Sequence, residues 1–371
     1  MLTVLSCISA ILWLGLLFAP WRPWSTTEKL ENFHQRTKPL SHITALIPAR
    51  DEAECIAETI MALASQGCLG GIIVVDDQST DETAIEVKNL NIKNLELIEG
   101  QNPPLGWTGK LWALEQGRKK VSTPYLLLLD ADIRLAPQAL ANLSELQQKD
   151  NLDLVSVMAL LHVGNLREKF LLPAFTFFFK LIYPFALSNN PNSKIAGAAG
   201  GCILIRTSKL DSIGGFGALH DAIIDDCTLA KLVKESDGRT WIGLSDDVEA
   251  IRPYGTLTNI WDMVARTAFT QLKYSLPLLL LCSALLAISF LTPLAGLLSG
   301  NSSVRFLSTI SLIIMCVTYL PTVRHYKRSP LWVCSLPFAS SLFLAMTWTS
   351  AIRYWRGERT RWKNRVYTKL E

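Results

Sequence analysis

Apolar residues are distributed along this chain in two ways. From about residue 38 to 272 they come in short runs that alternate between two periods. Residues 43–47 form a β-type run, and residues 53–65 follow with Ile56, Ile60 and Leu63 at helical spacing. Residues 72–75 and 95–98 read as further strands, and residues 110–120 as a helix after a Pro/Gly loop. The run 125–129 is apolar without interruption, as a strand buried on both faces must be. Strands alternating with helices imply an α/β domain, here bounded at 38–273, with a mostly parallel sheet covered by helices. No internal repeat or low-complexity stretch interrupts it.

Outside that domain the apolar positions merge into long, almost uncharged runs. Residues 2–19 form the first, closed by Pro20-Trp21-Arg22-Pro23-Trp24. No Lys or Arg precedes it and no A-x-A site follows, so residues 1–24 read as an uncleaved anchor rather than a signal peptide. Runs 276–298, 306–320 and 331–352 make a C-terminal membrane region over 276–352. Arg22, Lys29, Arg36 and Lys38 after the anchor favour a cytoplasmic domain. The basic link 324–328 and the tail 353–371, with seven Lys or Arg, also read as cytoplasmic. Three full crossings after a cytoplasmic domain would put that tail outside. A re-entrant segment containing Pro337 would remove the conflict, which the sequence leaves open.

Composition narrows the class. Of 371 residues, 49% are hydrophobic and 18% charged, which suits neither disorder nor an ordinary cytosolic enzyme. A net charge of +4 gives no electrostatic reason to expect a nucleic-acid partner. The eight cysteines contain no C-x-x-C pair, so neither a disulfide scaffold nor a zinc site is expected.

In mostly parallel sheets ligands bind beyond the carboxyl ends of the strands. Acids cluster there three times: Asp51-Glu52, Asp76-Asp77, and Asp130-Ala131-Asp132 directly after Leu126–Leu129. Thr80 and Asp81 read as caps of the next helix. Asp130 and Asp132 offer hard oxygen ligands within one turn, suited to Mg²⁺ or Mn²⁺ that takes its other ligands from substrate phosphates. Such a dication would neutralise a diphosphate leaving group.

Three segments carry a family resemblance: Ile47-Pro48-Ala49-Arg50-Asp51-Glu52, the stretch 74–83 containing Asp76 and Asp77, and Asp130-Ala131-Asp132. In that order they resemble the family 2 glycosyltransferases of GT-A fold, with weaker likeness to about residue 273. The resemblance implies that Pro48, Arg50, Glu52, Asp76 and Asp77 hold the nucleotide. It places Asp130 at the ribose side and the metal, and Asp132 at the metal. It makes Asp226 of Asp225-Asp226 the base that deprotonates an acceptor hydroxyl, Asp225 standing where the family usually has Glu. Asp246-Asp247 is a competing pair, and helix capping a structural alternative for Asp225 and Asp226. Gly200, Gly201 and Cys202 resemble the acceptor-side segment. The Q-x-x-R-W helix of processive members is absent; 266–274, with Arg266 and Gln271, stands in its place, which favours addition of one sugar. Gly109-Lys110 opens a helix and could reach the donor.

The whole pattern is similar to the hopene-associated glycosyltransferases of bacteria. That similarity implies a multi-pass protein of the bacterial inner membrane, moving one sugar from a nucleotide-sugar to a lipid in hopanoid synthesis. The aromatic run 170–185 would be a core helix or an interfacial helix at the acceptor opening. Three rival readings are a sugar transferase to polyprenyl phosphate, a lipid transporter or scaffold with a degenerate domain, and a nucleotidyltransferase. The first would need an extra basic pocket, and none is obvious in the sequence. The last lacks its Gly-rich phosphate loop.

Overall fold

The computed structural model describes residues 1–33, 39–363 and 365–368. Arg36, Lys38 and Lys369, among the charges read above as inward-facing, lie outside the described residues.

The soluble part is built on eight strands: β1 (Ile43–Ala49), β2 (Gly71–Asp76), β3 (Leu95–Glu99), β4 (Tyr125–Leu129), β5 (Ile133–Leu135), β6 (Leu154–Leu160), β7 (Cys202–Arg206) and β8 (Thr240–Ala250). Their order across the sheet is β3-β2-β1-β4-β7-β6-β8-β5. The pairs β2–β3, β1–β2, β1–β4 and β6–β8 are parallel. β7 runs antiparallel to both its neighbours, and β5 antiparallel to β8. The strand period sets the two faces: Ile43, Ala45, Ile47, Leu127 and Leu129 point into one apolar core, Leu46, Leu126 and Leu128 into the other. Both cores are closed by helices, as the uninterrupted run at 125–129 requires.

One helix shows how packing positions chemistry. Gly109–Arg118 lies so close to the sheet that a Cβ on Gly117 would stand 2.2 Å from a Leu46 methyl. Glycine here permits the approach, and the approach puts Lys110, in the first turn, at the ends of β1 and β4.

Three helices are long and apolar enough to cross a membrane: Leu276–Leu297, Ser302–His325 and Pro330–Trp355. Leu2–Phe18 is a shorter apolar helix. The first of the three contains a π-turn, Ala287–Leu291. The Ser289 carbonyl in that turn accepts the Trp13 indole N–H at 2.8 Å. The N-terminal helix is thereby fixed to the C-terminal ones, and Trp13 also meets Phe290 edge-on.

The aromatic run folds as helix Leu166–Ile182, opened by a capping box of Asn165 and Glu168. It buries Leu171, Leu172, Phe177 and the whole of Lys180, whose ammonium donates to the Trp24 carbonyl at 3.3 Å. Phe177 packs on Tyr319 and Phe178 on Phe343. It is the core helix of the two readings, joining the α/β domain to the apolar helices.

Pro330–Trp355 is tied to the α/β domain at both ends. Just before it, Arg328 donates to the Val163 carbonyl at 3.4 Å. At its far end Arg353 pairs with Asp262 at 2.6 Å. Beyond it, a hairpin of β9 (Glu358–Trp362) and β10 (Arg365–Thr368) turns back onto the sheet's carboxyl end.

Candidate active site

An open cleft of about 530 Å³ lies across the carboxyl ends of β1 and β4. The turn after β1 places Pro48 and Glu52 on its wall, and the turn after β4 places Asp130 and Asp132. Asp51 and Gln78, at the ends of the first two motifs, have left-handed backbones, φ 52° and 58°. This costs strain in residues with side chains. The strain is offset by a latch: Asp51 Oδ1 accepts the Thr80 N–H at 2.8 Å, and Asp81 Oδ2 accepts the Ala53 N–H at 3.1 Å. Asp81 is thus a structural residue, though it latches the turn rather than occupying the N-cap position of the next helix, which is Glu82.

The cleft centres on Lys110. Its ammonium lies 2.9 Å from Asp130 and 3.5 Å from Asp225. Burial works against that charge, but Asp130 and Asp225 outweigh it and hold Lys110 above its ordinary pKa. Burial, then the neighbouring Asp130 charge, pushes Asp132 up to about 6. The hard oxygens of Asp132 and Asp130 fit a divalent cation, which would add to the charge already supplied by Arg252 and Lys110. Among the described residues no group of three or more His, Cys, Asp or Glu side chains could hold one. A dication on Asp132 and Asp130 would draw its other ligands from diphosphate and water.

Asp225 and Asp226 stand in the first turn of helix Asp225–Glu235, where acids face the positive end of the helix. They do not cap it: the N-cap position is Ile224, without a side-chain bond. Asp226 accepts the Gly200 N–H at 2.8 Å and the Cys227 N–H at 2.7 Å. A Cβ on Gly200 would crowd Asp226 Oδ2 at 3.3 Å and Lys110 Nζ at 3.4 Å, so glycine keeps this approach open. Burial, then Asp225, raises Asp226 to about 6. Asp225 has the Lys110 ammonium as its partner; Asp226 is held by backbone donors.

Other expected residues separate into those that join the cleft and those that do not. Arg266 lines it. Gln271 points elsewhere, accepting from the Tyr183 hydroxyl at 2.7 Å. Gly201 accepts the Asp130 N–H through its carbonyl at 3.0 Å. Cys202 is a fully buried β7 residue opposite Leu129, its thiol pushed up to about 12 by burial and Asp130. It supports the sheet rather than facing an acceptor. Asp76 accepts the Ser79 N–H at 3.3 Å. Asp246 lies outside the cleft, 3.6 Å from Lys29 and 3.4 Å from His325.

Two cations in the cleft were not anticipated, Arg252 and Lys363. Arg252, following β8, pairs with Glu52 and lies 3.4 Å from Asp132. Lys363, between β9 and β10, is 2.7 Å from Glu52 and donates to the Asp51 carbonyl at 3.1 Å. Burial and the Arg252 charge lower Lys363 to about 8. Arg365 grips the buried Asp77 with both oxygens, at 2.6 and 2.9 Å. Arg50 donates to the Asp77 and Gln78 carbonyls and, at 3.3 Å, to the Lys363 carbonyl. The basic pocket not obvious in the sequence therefore exists, assembled from Lys110, Arg252, Arg266 and Lys363.

With this geometry in place, comparison defines the class. Residues 44–214, a little under half of the chain, match the family model described as Glycosyl transferase family 2. That segment is thus similar to family 2 glycosyltransferase domains, and the fold is GT-A-like. It is similar to a 4,4'-diaponeurosporenoate glycosyltransferase of Staphylococcus aureus, 30% identical over 114 residues that cover 30% of each chain. A relative of the same description from Staphylococcus haemolyticus is 30% identical over 93 residues, 25% of this chain and 24% of that one. The chain thus spans less than a third of the length of these curated relatives. The fold is also that of the mannosyltransferase PcManGT from Pyrobaculum calidifontis, solved with GDP-Man and Mn²⁺. That likeness has a TM-score of 0.58 and 17% identity, and covers 95% of this chain and 98% of the other.

Proposed function

We propose that this protein is an inverting, metal-dependent glycosyltransferase that moves one sugar from a nucleotide-sugar to a lipid hydroxyl at a membrane. The observation that carries the reading is one cleft holding Asp130 and Asp132 on one side of Lys110 and Asp225 on the other, with Asp226 beside Asp225 in a small adjoining pocket that Lys110 and Asp130 also line. The first pair suits the donor, the second the acceptor. Mg²⁺ or Mn²⁺ on Asp132 and Asp130 would supply Lewis-acid compensation of the leaving diphosphate. Asp226 is the proposed base. A pKa near 6 leaves it deprotonated at neutral pH yet able to hold a proton, while Asp225 fixes Lys110. Pro48, Arg50, Glu52, Asp76 and Asp77 frame the nucleotide side.

Several features support a lipid acceptor. Helix Leu257–Gln271 lines the cleft with Asn259, Asp262, Met263 and Arg266 and packs against Pro330–Trp355 through Phe269. The S. aureus relatives are named for an acid of the carotenoid type, and hopanoid synthesis is the narrower role suggested by the motif pattern. The proposed setting is the bacterial inner membrane with the cleft facing the cytoplasm. Leu2–Phe18, Leu276–Leu297 and Ser302–His325 cross in this reading, and Pro330–Trp355 returns to the side it left. The test is release of sugar from a panel of UDP- and GDP-sugars by the full chain in detergent. The expectation is activity with a subset, dependent on Mg²⁺ or Mn²⁺; no release from any donor at any metal concentration would remove the reading.

A second reading, transfer to polyprenyl phosphate, gains from the four cations in the cleft. Inhibition of lipid glycosylation by short polyprenyl phosphates, with their conversion to product, would favour it.

A further inference from the structure

Glu52 is met by two cations. One carboxylate meets both Arg252 and the Lys363 ammonium, and Arg252 is shared with Asp132. Both cations line the cleft beside the turn that bears Asp130 and Asp132. Lys363 arrives from outside the family-matched segment, on a hairpin that reaches the cleft after the last apolar helix. That hairpin is anchored at three points around the opening. Arg359 pairs with Asp221 at 3.2 Å, Lys363 with Glu52, and Arg365 with both oxygens of Asp77. Arg252 and Lys363 line the cleft beside the candidate metal pair, and phosphate oxygens are the chemistry for which both cations can exchange their carboxylate partners.

We propose that Arg252 and the tail residue Lys363 bind the diphosphate of the donor, so that the C-terminal hairpin is a working wall of the nucleotide site. The inference rests on reading the cleft as a nucleotide-sugar site. Nucleotide entry exchanges the Glu52–Lys363 pair for a Lys363–phosphate pair, and Arg365 keeps the hairpin in place through Asp77. Lys363 and Arg252 are binding residues in this account, since they meet phosphate oxygens and not the reacting hydroxyl.

The experiment compares binding of UDP and GDP with uridine and guanosine, by calorimetry on the full chain in detergent with Mn²⁺. Lys363→Gln should weaken the bound diphosphate about tenfold and leave nucleoside binding unchanged, while Lys363→Arg should restore most of the loss. Arg252→Lys should act in the same direction and by a smaller factor. An unchanged melting temperature in Lys363→Arg guards against a folding artefact. Parental or tighter UDP and GDP binding by Lys363→Gln would overturn the proposal, and tighter binding would make the hairpin a plug. If the parental chain binds none of the four probes, the nucleotide-sugar reading itself falls, and this one with it.

Discussion

At the scale of single residues, the proposed reaction divides its chemistry between two acids with similar pKa values. Asp132 is raised by burial and by Asp130, and a dication would reverse that shift by favouring the carboxylate. Asp132→Asn should therefore keep the fold and lose roughly 100-fold or more in turnover, the size expected for charge stabilisation in a closed site. Steady-state rates with and without excess EDTA check this, and undiminished activity in either case refutes the metal assignment. Asp226 is raised by burial and by Asp225, which a metal on the other side of Lys110 would not relieve. The base works when deprotonated, so at saturating metal the rate should rise with pH through about 6 and level off above it. Asp226→Asn should retain nucleotide binding while transfer falls by about 10²–10⁴. Asp247→Asn supplies the control, being outside the cleft. Asp130 and Asp132 were legible in the sequence because they come straight after an apolar run, whereas Asp226 was reached through the family resemblance. Arg252 and Lys363 were not, because a lone basic residue carries no local signal. They lie 200 and 311 residues from Glu52, as their numbers give (252 − 52 and 363 − 52).

Elements show which sequence signals set the local structure. The strand at Tyr125–Leu129 follows from its uninterrupted apolar run, and the other strands extend their runs by a residue or two toward the acids. The reading of 170–185 as core or interface could not be decided by composition, since aromatics and a lysine suit both. Packing decides it: Lys180 is inside, held by the Trp24 carbonyl. Glu168 shows the same dependence on long-range contact. It completes the capping box and, at 2.8 Å, also accepts the Gly255 N–H, fixing the loop that carries Arg252 and Tyr254. Its burial opposes the charge, but three backbone N–H bonds outweigh that and lower its pKa. Glu168→Ala leaves buried donors without a partner and should cost about 1–3 kcal/mol. Thermal or denaturant unfolding of the purified chain checks this; an unchanged midpoint would contradict the anchoring role.

Across the whole molecule, contacts at the ends of the last apolar helix support the re-entrant reading of the topology conflict in the sequence. Three apolar helices after the domain would place an odd number of crossings before the tail. Yet Arg328 and Arg353, flanking Pro330–Trp355, both reach the α/β domain, and the hairpin beyond meets Asp77. Length and hydropathy report only that a segment is able to cross. Where its ends go depends on contacts made hundreds of residues away. Cysteines introduced at Asn151, Ser329 and Gly357 should all resist an impermeant thiol reagent in intact cells, and one at Gly300 should react. A reactive Gly357 position with a protected Asn151 would make the last helix a true crossing and separate the tail from the donor site.

The central claim is that a single sugar passes from a nucleotide-sugar to a lipid hydroxyl in this cleft. Its most direct measurement is mass spectrometry of lipids after incubating the purified full chain with a membrane lipid extract, the donor panel and Mn²⁺. The predicted result is a lipid heavier by one sugar residue, formed only with metal and absent with Asp226→Asn. A product carrying a sugar chain, or one formed equally by Asp226→Asn, would contradict the account.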